Sequence, residues 1–159
     1  MSDYEVSRRT VTGADPARVT ALIADLHAWQ AWSPWEGSDP ELERSYTGPR
    51  LGPGAAYAWS GNRKAGAGRM QITDQVSDAQ GDRVELALAF TRPMKSRASI
   101  TFHVTPVEEG TEIVWRMTGP RTVAVRALGV IGGMDRMIGP DFERGLASLA
   151  VAAESGETS

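Results

Sequence analysis

Residues 100–119 read ITFHVTPVEEGTEIVWRMTG. Ile100, Phe102 and Val104 alternate with Thr101, His103 and Thr105, and Ile113, Trp115 and Met117 alternate with Val114, Arg116 and Thr118. A period of two marks a strand with one face buried and the other wet. Glu108-Glu109-Gly110 supplies a turn between the runs, so they pair as an antiparallel hairpin. A hairpin that is apolar on one face belongs to a sheet covered on one side only.

The same period extends upstream. Val84, Leu86, Leu88 and Phe90 alternate with Glu85, Ala87 and Ala89; Met70 and Ile72 share a face, as do Leu42, Arg44 and Tyr46. Residues 55–60 form a strand carrying Tyr57 and Trp59. The parity of these two stays open, because Gly54 and Gly61 are places for a bulge. Gly48-Pro49, Gly52-Pro53-Gly54 and residues 61–64 punctuate the turns. Gly66 and Gly68 permit a tight turn or bulge and lack the strand-to-helix setting of a phosphate loop. Residues 4–11 mix β-branched and charged side chains and read as a first strand.

Helices must cover the apolar face. Asp15 stands where an N-cap belongs, with Pro16 at the first helical position. Val19, Leu22, Ile23 and Leu26 follow as one apolar stripe, and this helix is expected to end near His27. Residues 28–40, AWQAWSPWEGSDP, bring Trp29, Trp32 and Trp35 within seven residues, with a second short helix expected through Trp32. Ile138, Phe142, Leu146, Leu149 and Ala153 recur at helical spacing and mark a long C-terminal helix. Pro140 marks its first turn, or a kink if the helix begins upstream. The glycine-bearing stretch before it reads as a broken helix or mobile connection.

The chain has 159 residues and a net charge of −3. That length suits one domain, expected over residues 1–154 with a disordered tail at 155–159. Cysteine is absent, which excludes disulfides, thiolate metal sites and a cysteine nucleophile. The N-terminal residues lack the apolar region of a signal peptide, and no stretch has the roughly 20 apolar residues of a membrane-spanning helix. The cytoplasm is the expected location. The charge balance argues against a nucleic-acid partner.

The order is strand, two short helices, six strands, long helix. At this point WQAWSPWEGSDP (29–40), GPGAAYAWSGNRKAGAGRMQIT (52–73), GTEIVWRMTG (110–119) and MDRMIGPDFERGLASL (134–149) together resemble the polyketide cyclase/dehydrase-type members of the START-like, or SRPBCC, superfamily. The resemblance covers nearly the whole chain and departs at Pro140. It implies an α+β helix-grip fold: a seven-stranded antiparallel sheet wrapped around the C-terminal helix, with an apolar cavity between them. Members bind lipids, polyketides, hormones and other hydrophobic molecules, and some catalyse cyclisation or dehydration.

Candidate ligand-binding residues are Trp29 and Trp32 from the tryptophan segment, and Trp59, Met70, Leu88, Phe90, Phe102, Trp115 and Met117 from the strand faces. Met134, Met137 and Ile138 are candidates for the opposite wall. Each is equally a core residue by type, and the tryptophans either close the core or face a ligand. Methionine suits both an irregular core and a loosely specific cavity. Catalytic candidates are few. Tyr57 and His27 are the first choices for moving a proton, although His27 also suits the C-terminal end of a helix. His103 belongs to the outer sheet face. Asp135 and Arg136 are candidates for a ligand's polar end. Two separated histidines offer no metal-ligand spacing, so neither metal nor cofactor is expected.

Three functions compete. The first is binding of a small hydrophobic or amphipathic ligand. The second is a polyketide cyclase or dehydratase in which the cavity folds the substrate. The third is a protein-interaction or regulatory module, against which the polar outer positions Glu85, Thr101, His103, Arg116 and Thr118 argue. The sequence leaves the oligomeric state open.

Overall fold

A computed structural model describes residues 4–34, 41–62, 66–92, 95–120 and 133–155, and the side chains of 133–135 and 137 lie outside that description. Seven strands form one antiparallel sheet: β1 (Tyr4–Thr12), β2 (Glu43–Thr47), β3 (Ala56–Ser60), β4 (Ala67–Asp78), β5 (Gly81–Arg92), β6 (Ser96–Val107) and β7 (Gly110–Gly119). Their spatial order is β1-β7-β6-β5-β4-β3-β2. Every neighbour from β2 to β7 is next in sequence, as short turns favour. The chain passes from edge strand β1 to the opposite edge β2 through α1 (Pro16–Ala24) and a 3-10 helix (Leu26–Ala31). The long helix α2 (Gly133–Ser155) ends the fold.

The hairpin quoted at the outset forms in the expected register, Phe102 opposite Trp115 and Ile100 opposite Met117. Its turn depends on Gly110, whose φ is +136 and whose missing Cβ would meet the Thr12 carbonyl oxygen at 2.3 Å. Thr111 beside it donates its hydroxyl to the Ala14 carbonyl at 2.7 Å, tying the turn to the start of α1.

α2 packs chiefly across β1, and also touches β7, α1 and the 3-10 helix. Phe142, Leu146, Leu149 and Ala153 are buried along its apolar stripe. Gly139 lets the Arg8 side chain of β1 cross the helix, and Arg8 Nε meets Glu143 at 2.9 Å. At the far end Thr12 donates its hydroxyl to Glu154. α1 is anchored by Thr20, whose hydroxyl donates to Asp82 of β5 at 2.6 Å.

Two expectations change and two open alternatives are decided. α1 stops at Ala24, because Asp25 is extended (φ −104, ψ 104), so His27 belongs to the 3-10 helix and does not end α1. β3 runs without a bulge; the register shifts lie between β4 and β5, with Thr91 of β5 unpaired opposite Ala67/Gly68 and Thr73 of β4 unpaired between Ile72 and Asp74. Pro140 lies inside α2, the upstream alternative, with about two turns of helix before it. Ser155 is the last helical residue, where a disordered tail was expected to begin. Trp35, the connection over 121–132 and the end of the tail lie outside the described residues.

Candidate functional site

The inner face of the sheet carries two aromatic groups with different surroundings. The first lies under α2. Trp115 of β7 stacks on Phe142 with ring centroids 4.1 Å apart and planes 7° from parallel. Phe102 of β6 stacks on Trp115 at 5.0 Å, and Trp29 and Trp32 meet both rings edge-on at 5.7–6.2 Å. All five rings are buried.

Two of these indoles also end a helix. The last four carbonyls of an α-helix lack intrahelical partners. In α1 the Leu22 carbonyl accepts the Trp32 indole N–H at 3.1 Å, the Ile23 carbonyl accepts that of Trp29 at 2.9 Å, and the Ala24 carbonyl accepts the Gly52 backbone N–H at 3.3 Å. The apolar bodies fill the core while their one polar atom satisfies backbone that water does not reach.

The second group lies on β2, β3 and β5, strands that are not among the principal neighbours of α2. The His27 and Tyr46 rings stack at 3.6 Å, Tyr46 and Tyr57 at 5.1 Å, and Tyr57 and Trp59 at 5.7 Å; Phe90 meets Trp59 edge-on at 5.5 Å. Tyr46, Trp59 and Phe90 are only partly buried. Met70 and Leu88 are buried beside them, and Tyr57 sits directly opposite Met70 across the strands. This is a continuous, half-exposed apolar wall. Its polar end is built by the 3-10 helix. Gln30 Nε2 donates to the Tyr46 hydroxyl at 2.9 Å, and Asp25 accepts the His27 backbone N–H at 3.0 Å. The His27 ring Nδ1 lies 3.5 Å from the same Asp25 oxygen, and Arg50 reaches the other oxygen at 3.2 Å.

The candidates therefore divide. Trp59, Phe90, Met70, Leu88, Tyr57 and His27 lie along the wall. Trp29, Trp32, Phe102 and Trp115 are in the packed cluster. Met117 is buried on β7, Ile138 is half-buried on α2 and Arg136 is exposed there. The side chains of Met134, Asp135 and Met137 lie outside the described residues. Tyr46, Gln30, Asp25 and Arg50 were not singled out from sequence. Tyr46 was legible only as sharing a strand face with Leu42 and Arg44; the other three needed the path of the 3-10 helix. Among the described residues no group of three or more His, Cys, Asp or Glu side chains is placed to hold a metal ion, and no helix is long and apolar enough to cross a membrane.

Solved structures share this architecture. Hypothetical protein jhp0584 from Helicobacter pylori superposes with a TM-score of 0.71 at 11% identity, over 96% of this chain and 89% of that one. Protein SA2116 of unknown function from Staphylococcus aureus gives 0.67 at 12% identity, over 99% and 98% of the two chains. The Aha1 dimer from Colwellia psychrerythraea gives 0.61 at 16%, over 97% and 98%. At such identities the likeness is one of fold. None of the curated proteins matches the sequence. The profile of one family, described as polyketide cyclase/dehydrase and lipid transport, matches residues 3–154. With the seven-stranded sheet and its C-terminal helix in place, the chain belongs to the polyketide cyclase/dehydrase and lipid transport family of the SRPBCC superfamily.

Proposed function

We propose that the protein binds a small hydrophobic or amphipathic molecule of lipid or polyketide type along the inner wall of Tyr46, Tyr57, Trp59, Met70, Leu88 and Phe90, and that it does so in the cytoplasm. The observation that carries this reading is the half-exposure of Tyr46, Trp59 and Phe90 on the face of the sheet that is otherwise core. Apolar side chains left partly open on a concave inner face, with a few polar groups at one end, are the usual makeup of a small-molecule site. Gln30 and His27 supply that polar end. Met117 and Ile138, with Met134 and Met137, extend the same lining in this proposal. The cluster of Trp29, Trp32, Phe102 and Trp115 packs on the same inner face, against Phe142 of α2.

The test begins with native mass spectrometry of the protein taken directly from its expression host, with chemical identification of any adduct. The identified molecule is then titrated against wild type, Trp59→Ala and Phe90→Ala. Each variant is expected to weaken binding about tenfold, roughly 1.4 kcal/mol, while remaining folded. Wild-type affinity in both variants removes the wall from the site.

A second reading has one observation in its favour. His27 stacks on Tyr46 while its Nδ1 faces Asp25, so the ring is held in place with a carboxylate on one side. A cyclase or dehydratase needs a folded substrate and a positioned proton carrier, and His27 or Tyr57 would serve. Turnover of an aromatic polyketide precursor that disappears in His27→Gln or Tyr57→Phe, with binding retained, would select this reading. Binding without turnover leaves the first.

A further inference from the structure

The outer face of the sheet holds a depression of about 400 Å³, which shares only Leu88 with the inner wall. Two rows of cross-strand neighbours build it. In one, Arg69 of β4, Ala89 of β5 and Arg97 of β6 lie side by side; in the next, Gln71, Ala87, Ser99 and Thr118 follow one another across β4, β5, β6 and β7. Strands are spaced about 4.8 Å apart, so the two arginine Cα atoms stand about 10 Å apart. Only the methyl of Ala89 rises between them. The hollow exists because β5 presents alanine where its neighbours present long side chains.

The charges on this face are distributed unevenly. Arg9 pairs with Glu112, Arg83 with Asp74 and Glu85, and Arg116 with Glu5. The side chains of Arg69 and Arg97 are exposed and make no ion pair or hydrogen bond with another described residue. Glu5, Asp74 and Glu85 on this face are already engaged by other guanidinium groups. Two like charges thus stand on either side of a small-floored hollow, which makes it an electropositive spot open to an anion.

We propose that this depression is a second binding site, for the phosphate group of a small soluble phosphate ester. A phosphate monoester carries close to two negative charges and three terminal oxygens, enough for two guanidinium forks, whereas a carboxylate satisfies one. Gln71, Ser99 and Thr118 lie one row further on and suit the hydroxyls or ring of the organic part. A membrane surface is disfavoured as the source of the phosphate, because the chain is net negative at −3.

The proposal is tested by NMR titration of the full-length protein with phenyl phosphate at low salt, reading the arginine Nε–H and backbone amide signals. Saturable shifts are expected at Arg69, Arg97, residues 87–89, Ser99 and Thr118, with a Kd below about 10 mM. Arg69→Gln and Arg97→Gln should each weaken binding about tenfold, and the double variant should lose saturation. Arg9→Gln, which removes a charge outside the hollow, should leave binding unchanged. Shifts that never saturate, or that persist in the double variant, overturn the site. An equal effect of Arg9→Gln reduces it to general charge attraction and overturns it as well. Benzoate binding as tight as phenyl phosphate overturns the choice of phosphate.

Discussion

The indole of Trp59 lies across Gly68, its partner on the neighbouring strand. A Cβ at position 68 would stand 2.8 Å from the Trp59 ring and 2.5 Å from the Ala89 carbonyl oxygen. The glycine is what lets the largest side chain of the wall lie close to the sheet. Gly68→Ala is therefore expected to destabilise the fold by about 1–3 kcal/mol, since the carbonyl cannot yield. It should also shift tryptophan fluorescence and weaken ligand capture. Urea denaturation and the ligand titration measure both; wild-type values in the two would show that Trp59 does not depend on the gap.

Trp29 and Trp32 fill the core and end α1 at once, and substitution by phenylalanine separates the two roles. Trp29→Phe or Trp32→Phe keeps most of the apolar volume but strands the Ile23 or Leu22 carbonyl. Each should cost about 1–3 kcal/mol beyond the lost area. Amide hydrogen exchange provides the specific sign, with faster exchange confined to the last turn of α1. Uniform loss of protection across the sheet would point to packing alone.

Gly145 of α2 opposes helix propensity. Alanine there should favour the helix by about 1 kcal/mol. Yet its Cβ would approach Trp115 Cζ3 and Pro34 Cδ, both at 2.8 Å, and Trp115 is held on its other side by Phe102. Overpacking of this kind costs about 1–3 kcal/mol, so the net effect of Gly145→Ala is expected to be destabilising. A raised urea midpoint would show that the cluster yields more readily than its stacking implies.

Stability should fall in strong alkali through Tyr4. Burial pushes its hydroxyl above the ordinary value of 10.0. Below that value the phenol is neutral in both states and its contribution is fully present. As pH rises past it the unfolded chain ionises first, and stability is lost until the folded phenol ionises too. The difference in stability between wild type and Tyr4→Phe, followed by urea titration from neutral pH upward, should be flat to about pH 10 and then shrink as the wild type loses its contribution. A flat difference throughout would mean that Tyr4 ionises alike in both states.

Much of this was legible along the chain. The alternation in residues 84–90, 100–105 and 113–118 gave the strands and their inward faces, and the helical spacing from Ile138 to Ala153 gave the covering helix. Tyr46 was grouped with Leu42 and Arg44 on one face of its strand, but that face was not assigned inward and Tyr46 was not recognised as a site residue. The end of α1 was misjudged because its apolar stripe runs on through Leu26, while the helix stops where two distant indoles and the Gly52 amide take up its carbonyls. No local signal announces a cap supplied from six or ten residues away.

Sequence by itself determined the order of elements and the inward side of the strands over residues 84–90, 100–105 and 113–118, which follow from backbone periods of two and 3.6 residues that every segment carries within itself. The family came separately, from the resemblance carried by residues 29–40, 52–73, 110–119 and 134–149. Only the tertiary structure decided which aromatic residues support the core and which remain partly open. Trp115 and Trp59 are both inward tryptophans on strands and cannot be told apart by pattern. They differ because α2 crosses the β1 side of the sheet and places Phe142 on Trp115, while Trp59 lies several strands away. Burial is a relation between segments distant in the chain, and it is fixed only when the helix and the sheet have met.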